Sequence, residues 1–311
     1  MNQKVIFYIQ SFKGSGLGHL KRSLNLAKKF KSSGYLVSFC GEISPEARQV
    51  IKNENISLSS KEESGEIVII DATSIDPNLL NKIKRYKYRF LISPVFDDYD
   101  LPSHIFTRMQ PDKEIKLILE KQEIIYDPNF SFSTTNNLKF KENIKCENIK
   151  VGICISGSST YIDLDGLLHE CTKNENVCSI TAFVDNIEEK YFFNQKICYK
   201  QKDVEELWDT FHDIDCLITG DGLMIFEAMA QGIPVISLYR NGAWKKNSFF
   251  YEKNLCFAFS IERLNYSDIN DILSNKDQLQ IMRKNLIDKQ YWLKQDYLFE
   301  TILKKLEDLG I

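Results

Sequence analysis

The sequence predicts an α/β protein made of two Rossmann-like halves followed by a helical C-terminus, and three observations carry that expectation. Short apolar runs such as Val5–Ile9, Ile67–Ile70 and Val151–Ile155 alternate with amphipathic stretches, which is the pattern of βα units around a parallel sheet. The pattern lapses in a polar stretch over 112–148, rich in Lys, Asn and Glu, and resumes at Lys150. At 311 residues the chain exceeds what one hydrophobic core usually serves, so two domains of roughly 150 residues each are expected.

In the first half, strands are predicted near 4–10, 36–40, 66–71 and 89–93, with helices near 19–33, 44–54 and 77–86. Ser44-Pro45-Glu46 and Asp76-Pro77 each place a capping side chain before a proline at the first helical turn. The second half opens with Lys150–Ile155 and continues through strands at Ser179–Val184, Cys216–Thr219, Pro234–Leu238 and Cys256–Phe259. Helices are expected near 161–173, 203–212, 222–231 and 244–253. From about 266 the pattern is helical to the end, with Leu293, Tyr297, Leu298, Ile302, Leu303 and Leu306 at helix-like spacings. The expected domains are 1–145 and 146–311, the second including the helical tail, with a ligand cleft between the carboxyl edges of the two sheets.

Composition narrows the partners. Forty basic and forty-three acidic side chains leave a formal charge of −3, and the pI is near 5.9, so no overall positive field invites nucleic acid. No stretch approaches the ~20 apolar residues that span a bilayer and no signal-peptide pattern opens the chain, which reads as a soluble, cytoplasmic protein without an integral membrane segment. The eight cysteines form no C-x-x-C pair and several fall inside apolar runs, the pattern of buried reduced thiols. His104, His169 and His212 lack metal-ligand spacing, and neither a metal nor a cofactor is expected.

Two motifs carry chemistry. Gly14-Ser15-Gly16-Leu17-Gly18-His19-Leu20-Lys21-Arg22 joins the first predicted strand to the first helix, where free backbone amides and the positive helix end favour anions. Arg22 and Ser23 fall on the same helix face as His19. The positive end of the helix disfavours an imidazolium, which leaves His19 able to accept a proton. The second motif runs Cys216-Leu217-Ile218-Thr219-Gly220-Asp221-Gly222-Leu223 into the helix Met224–Gln231, again a glycine turn whose first amides could meet a phosphate. Glu227 lies about one and a half turns in, where its carboxylate could accept from ribose hydroxyls; an exposed helix glutamate without a role has the same sequence signature. Tyr239, Trp244, Phe249, Phe250 and Tyr251 fit either a stacking wall or ordinary core packing.

Together the motifs resemble the GT-B nucleotide-sugar fold. The first resembles the UDP-sugar hydrolase family of pseudaminic acid biosynthesis and the related spore-coat polysaccharide proteins, whose G-x-G-H-x-x-R is matched by Gly16, Gly18, His19 and Arg22. Ile67–Asp71 resembles the family's third-strand signature and Phe96-Asp97-Asp98 its paired aspartates. Thr219–Leu238 is similar both to that family and to the peptidoglycan N-acetylglucosaminyl transferase, whose glutamate at the place of Glu227 holds ribose. The chain departs from the family at Ala72-Thr73, where a tyrosine is usual, at Ser156-Gly157-Ser158-Ser159, which replaces a Gly-Gly-Ser/Thr-Asp loop, and at Asn241-Gly242, which replaces Asn-Gln.

The resemblance implies a metal-independent UDP-sugar hydrolase that releases UDP and a free amino or deoxy sugar. In that scheme His19 is the general base and Asp98 orients it or the water. Gly16, Gly18, Arg22, Gly157, Ser158, Gly220, Asp221, Gly222, Leu223, Glu227 and Asn241 hold the substrate. Two alternatives use the same residues: a GT-B glycosyltransferase in which an acceptor hydroxyl replaces water, and a non-catalytic sugar-nucleotide-binding subunit. Oligomeric state and the identity of the sugar are not set by the sequence.

Overall fold

The computed structural model of the chain describes residues 3–11, 18–59, 66–72, 74–92, 101, 103–108, 121–127, 130, 148–155, 162–184, 187, 192–201, 211–222, 224–240, 250–289 and 296–311. The chain divides into two compact units, one formed by 1–134 with 294–311 and the other by 135–293.

The first unit holds seven strands: β1 (Lys4–Ser11), β2 (Leu36–Ile43), β3 (Ser57–Leu58), β4 (Ile67–Asp71), β5 (Tyr88–Leu91), β6 (Ser103–Thr107) and β7 (Gln122–Tyr126). They form one sheet in the order β3-β2-β1-β4-β5-β6-β7, and every pairing is parallel. The second unit holds β8 (Ile149–Cys154), β9 (Val177–Val184), β10 (Ile197–Gln201), β11 (Cys216–Gly220), β12 (Val235–Tyr239) and β13 (Phe257–Ser260). Their order is β10-β9-β8-β11-β12-β13, also all parallel. The α/β fold with two parallel sheets is therefore the one the sequence predicts.

The central strands are buried on both faces, which is why they read as unbroken apolar runs. Four strands were not anticipated: β3, β6, β7 and β10. Of these, β10 lies at a sheet edge and is half to fully exposed, with the composition Ile-Cys-Tyr-Lys-Gln. β7, at an edge of the first sheet, sits inside the polar stretch read as a domain boundary, and only its first residue is buried. An edge strand needs no apolar face toward a further neighbour, so its sequence signal is weak.

Helices α1 (Gly18–Ser32) and α2 (Pro45–Asn53) cover one face of the first sheet, and α3 (Pro77–Ile83) covers the other. Ser44 and Asp76 cap α2 and α3 by accepting from the backbone N–H groups of Ala47 and Leu79, as their position before Pro45 and Pro77 predicts. In the second unit α4 (Leu164–Lys173) and α6 (Tyr266–Ser274) pack on one face, and α5 (Met224–Ala230) and α7 (Lys276–Lys289) on the other. The helices expected near 203–212 and 244–253 lie largely outside the described residues. Phe250 and Tyr251 are buried in the core with Phe226, so these two rings pack the interior and form no stacking wall.

The closing helix, α8 (Tyr297–Asp308), corrects the expected domain division, because it belongs to the first unit. Leu298, Ile302 and Leu306 join the core beside α1, and Phe299 meets Phe30 edge-on at 5.0 Å. Tyr297 donates to Asp127 at 2.9 Å, and the Lys305 ammonium pairs with Glu123 of β7 at 2.7 Å. Helical periodicity locates an apolar stripe but does not say which sheet receives it.

The expectation of buried thiols holds for Cys154, Cys171, Cys216 and Cys256. Burial pushes Cys171 up to about 12 and raises Cys216 and Cys256 as well, so these are inert packing groups. Cys178 and Cys198 are instead exposed, on β9 and on the edge strand β10. Among the described residues no helix is long and apolar enough to cross a membrane.

Candidate functional site

Strand order reverses between β1 and β4 in the first sheet and between β8 and β11 in the second, and parallel sheets receive ligands at the carboxyl edge of such switch points. The two sequence motifs lead away from these two places.

In the first unit His19 is the second residue of α1, while Leu20, Leu24, Ala27 and Phe30 anchor that helix to the sheet. Asp71 is the last residue of β4, in register with Ile9 of β1. On the other side of Ile9 sits Gly41, with φ at +112°; a Cβ there would stand 2.3 Å from the Ile9 carbonyl oxygen. Only glycine lets β2 approach β1 this closely beside the site.

Asp71 is fully buried and is the hub of the cluster. Its Oδ1 meets His19 Nδ1 at 2.6 Å and accepts from Arg22 Nη2. Its Oδ2 accepts from Arg22 Nε at 2.8 Å and from Ser23 Oγ at 3.0 Å. The Arg22 contact is thus bidentate, the strongest common form of ion pair. Burial alone would push this carboxyl up; the Arg22 guanidinium, with the His19 hydrogen bond, more than reverses the effect and holds it at about 2.

The ionised carboxylate fixes the histidine tautomer. Asp71 can only accept, so Nδ1 carries a proton and donates it to Oδ1. Arg22 Nη2, 3.2 Å from Nδ1, is a second donor converging on the same oxygen. In the neutral ring the lone pair therefore falls on Nε2, and the side chain is 20% exposed. A histidine held this way by a buried carboxylate has the arrangement of a general base.

Sequence reasoning missed the role of Asp71 and gave it to Asp98, which lies outside the described residues together with Gly16, Gly157, Ser158, Leu223 and Asn241. A signal was present: one carboxylate closing the apolar strand Ile67–Ile70 has to find a cation, and Arg22 stands one turn into α1, the helix that follows the neighbouring strand β1.

In the second unit β11 ends at Gly220, and the buried Thr219 hydroxyl donates to the Cys154 carbonyl at 2.7 Å, tying β11 to β8 at their carboxyl ends. Asp221 and Gly222 follow, half-buried, and lead to α5. Glu227 is on the first turn of α5 and is only 6% exposed, which sets aside the reading of an exposed helix glutamate. The helix stops at Gly232, whose φ of +70° suits glycine.

No family model matches the chain. It is similar over its whole length to MurG of Acinetobacter baumannii, with 11% identity, a TM-score of 0.61 and coverage of 97% of this chain and 99% of that one. The calicheamicin glycosyltransferase CalG4 gives 10% identity and a TM-score of 0.60, covering 98% and 99% of the two chains. The fold is that of the GT-B glycosyltransferases.

By sequence, 108 residues are 32% identical to the processive diacylglycerol β-glucosyltransferase of Bacillus subtilis, covering 33% of this chain and 28% of that protein. An uncharacterized protein of Methanocaldococcus jannaschii is 22% identical over 274 residues, covering 73% of this chain and 53% of its own length. The chain therefore spans about half or less of the curated relatives it matches. These likenesses overturn the expectation of a UDP-sugar hydrolase: CalG4 and the Bacillus relative are by name glycosyltransferases, and nothing among them supports the pseudaminic acid family.

Proposed function

We propose that the protein is a glycosyltransferase that takes its sugar from a UDP-sugar and passes it to an acceptor hydroxyl. The observation that supports this reading most is the His19–Asp71 pair at the β1–β4 switch point of a fold shared with sugar transferases.

In the proposed reaction His19 Nε2 takes the proton of the acceptor hydroxyl. The acceptor oxygen bonds to the anomeric carbon while the bond from that carbon to the β-phosphate oxygen breaks, and UDP leaves. The proton ends on the imidazole and later passes to solvent. A single displacement of this kind inverts the anomeric configuration. Asp71 keeps the ring in the reactive tautomer and stabilises the imidazolium that forms. Arg22 and Ser23 position Asp71, and so act through it.

For the donor, we propose that Glu227 accepts hydrogen bonds from the ribose hydroxyls and that the backbone around Gly220, Asp221 and Gly222 meets the diphosphate. The similarity of Thr219–Leu238 to the peptidoglycan N-acetylglucosaminyl transferase and the burial of Glu227 support this role. Charge on the departing UDP is then met by fixed backbone dipoles.

The test is a thermal-shift panel of UDP-, GDP-, CMP- and dTDP-sugars followed by assay of the best binder for UDP release with and without candidate acceptors. Selective stabilisation by a UDP-sugar and acceptor-dependent UDP release are expected, with His19→Ala losing turnover while still binding donor. Failure of every nucleotide sugar to bind, or full turnover by His19→Ala, would overturn the reading.

A further inference from the structure

The first sheet has a second face, away from His19. Along β1 the side chains of Phe7 and Ile9 point to α1, whereas Ile6 and Tyr8 point to α3. On this second face a cavity of about 510 Å³ opens between α3 and strands β1 and β2, within the usual range for small-molecule sites. Its lining includes Tyr8, Glu42, Asp76, Asn78, Lys82 and Arg85.

Tyr8 is the informative residue. The residue is only 5% exposed, and what it does expose lines the cavity. The hydroxyl is not sealed in the core but borders the cavity, where a ligand could accept from it. Burial, followed by the charges of Glu42, Cys40 and Asp76, pushes the phenol up to about 12, so Tyr8 stays protonated and able to donate.

The charges around it are sorted by position. Glu42, near the end of β2, and Asp76, the cap of α3, lie toward the carboxyl edge of the sheet. Asp76 spends Oδ1 on the Leu79 N–H. Lys82 and Arg85 lie at the other end of α3, roughly 10 Å further along at 1.5 Å per residue. The lining thus offers two negative charges, a phenol, and then two positive charges, and the whole is neutral.

We propose that this cavity binds a small hydroxylated zwitterion of the phosphorylated amino sugar class, with its ammonium at Glu42 and Asp76, a ring hydroxyl on Tyr8 and its phosphate toward Lys82 and Arg85. The site lies on the opposite face of the sheet from the His19–Asp71 pair and does not depend on the proposed transfer reaction.

Calorimetric titration of the full chain with glucosamine 6-phosphate, glucosamine, glucose 6-phosphate and glucose tests this directly. Glucosamine 6-phosphate should bind at least tenfold more tightly than either singly charged probe, and glucose least. Glu42→Gln should lower the affinity for glucosamine 6-phosphate about tenfold and leave glucose 6-phosphate unaffected. Lys82→Gln should weaken both phosphates and spare glucosamine. Tyr8→Phe, which keeps the packed ring, should weaken every probe that binds. His19→Ala should leave all affinities unchanged. Equal binding of the four probes, no binding at all, indifference to Glu42→Gln and Lys82→Gln, or loss of binding in His19→Ala would each overturn the assignment.

Discussion

The carboxyl ends of β1 and β11 lie at the switch points of two parallel sheets, but the groups gathered beside them are held by different means. At the first, a bidentate ion pair, a histidine and a serine converge on one buried carboxylate. At the second, a neutral hydroxyl meets a neutral carbonyl, and a buried acid, Glu227, belongs to the helix that follows. The contrast teaches what each place is suited to do. A group that moves protons must have its tautomer fixed, and an ionised acceptor fixes it. A group that only holds a ligand needs position, which a packed helix supplies.

Several measurements can break or sharpen this contrast. The largest effect is expected from Asp71→Asn, which removes the anion from the hub. Arg22 is then left buried beside an amide, costing about 3–5 kcal/mol in urea or thermal unfolding, and the His19 tautomer is released, lowering kcat by about a hundred- to ten-thousand-fold. An Asp71→Asn protein of unchanged stability would mean that the cluster is not the keystone described here. His19→Ala should lower kcat by a similar factor with less than about 1 kcal/mol change in unfolding, because its ring is partly exposed.

Glu227→Ala should separate the second place from the first. Donor Kd is expected to rise by about ten- to a hundredfold, from the loss of hydrogen bonds to a charged group worth 1.5–3 kcal/mol, with a much smaller change in kcat for saturating donor. Equal loss of kcat and affinity would put Glu227 in the chemistry.

The ion cluster also predicts a pH effect. The folded Asp71 carboxyl is depressed, from 3.8 to about 2, so its contribution to stability is present above pH ~4 and is lost as the pH falls from there toward ~2. The loss is about 2 kcal/mol. Asp71→Asn should abolish that part of the acid dependence, and an unchanged acid limb would contradict the ionised hub. The smallest effect is expected at the exposed bridge between Glu123 and Lys305. Glu123→Gln should cost at most about 1 kcal/mol and less at high salt, when measured by thermal unfolding.

How far the sequence could be read depended on burial. Ile67–Ile70 and Cys216–Thr219 are buried on both sides, so hydrophobicity alone reveals them as central strands. The edge strands Gln122–Tyr126 and Ile197–Gln201 need to satisfy only one neighbour and keep polar side chains, so they passed for loop. The pairing of His19 with Asp71 spans 52 positions. Local spacing could unite His19 with Arg22 and Ser23 on one helix face, but it could not show which distant carboxylate they share. The choice between water and an acceptor hydroxyl was illegible for a chemical reason, since one imidazole can deprotonate either.

The docking of Tyr297–Asp308 on the first unit has a consequence for synthesis. A ribosome must translate the whole intervening unit before the helix that covers Phe30 exists, a wait of roughly ten to thirty seconds at usual elongation speeds. Throughout that interval the nascent first unit carries an uncovered greasy seam, and any chaperone that attends this protein has its natural client there.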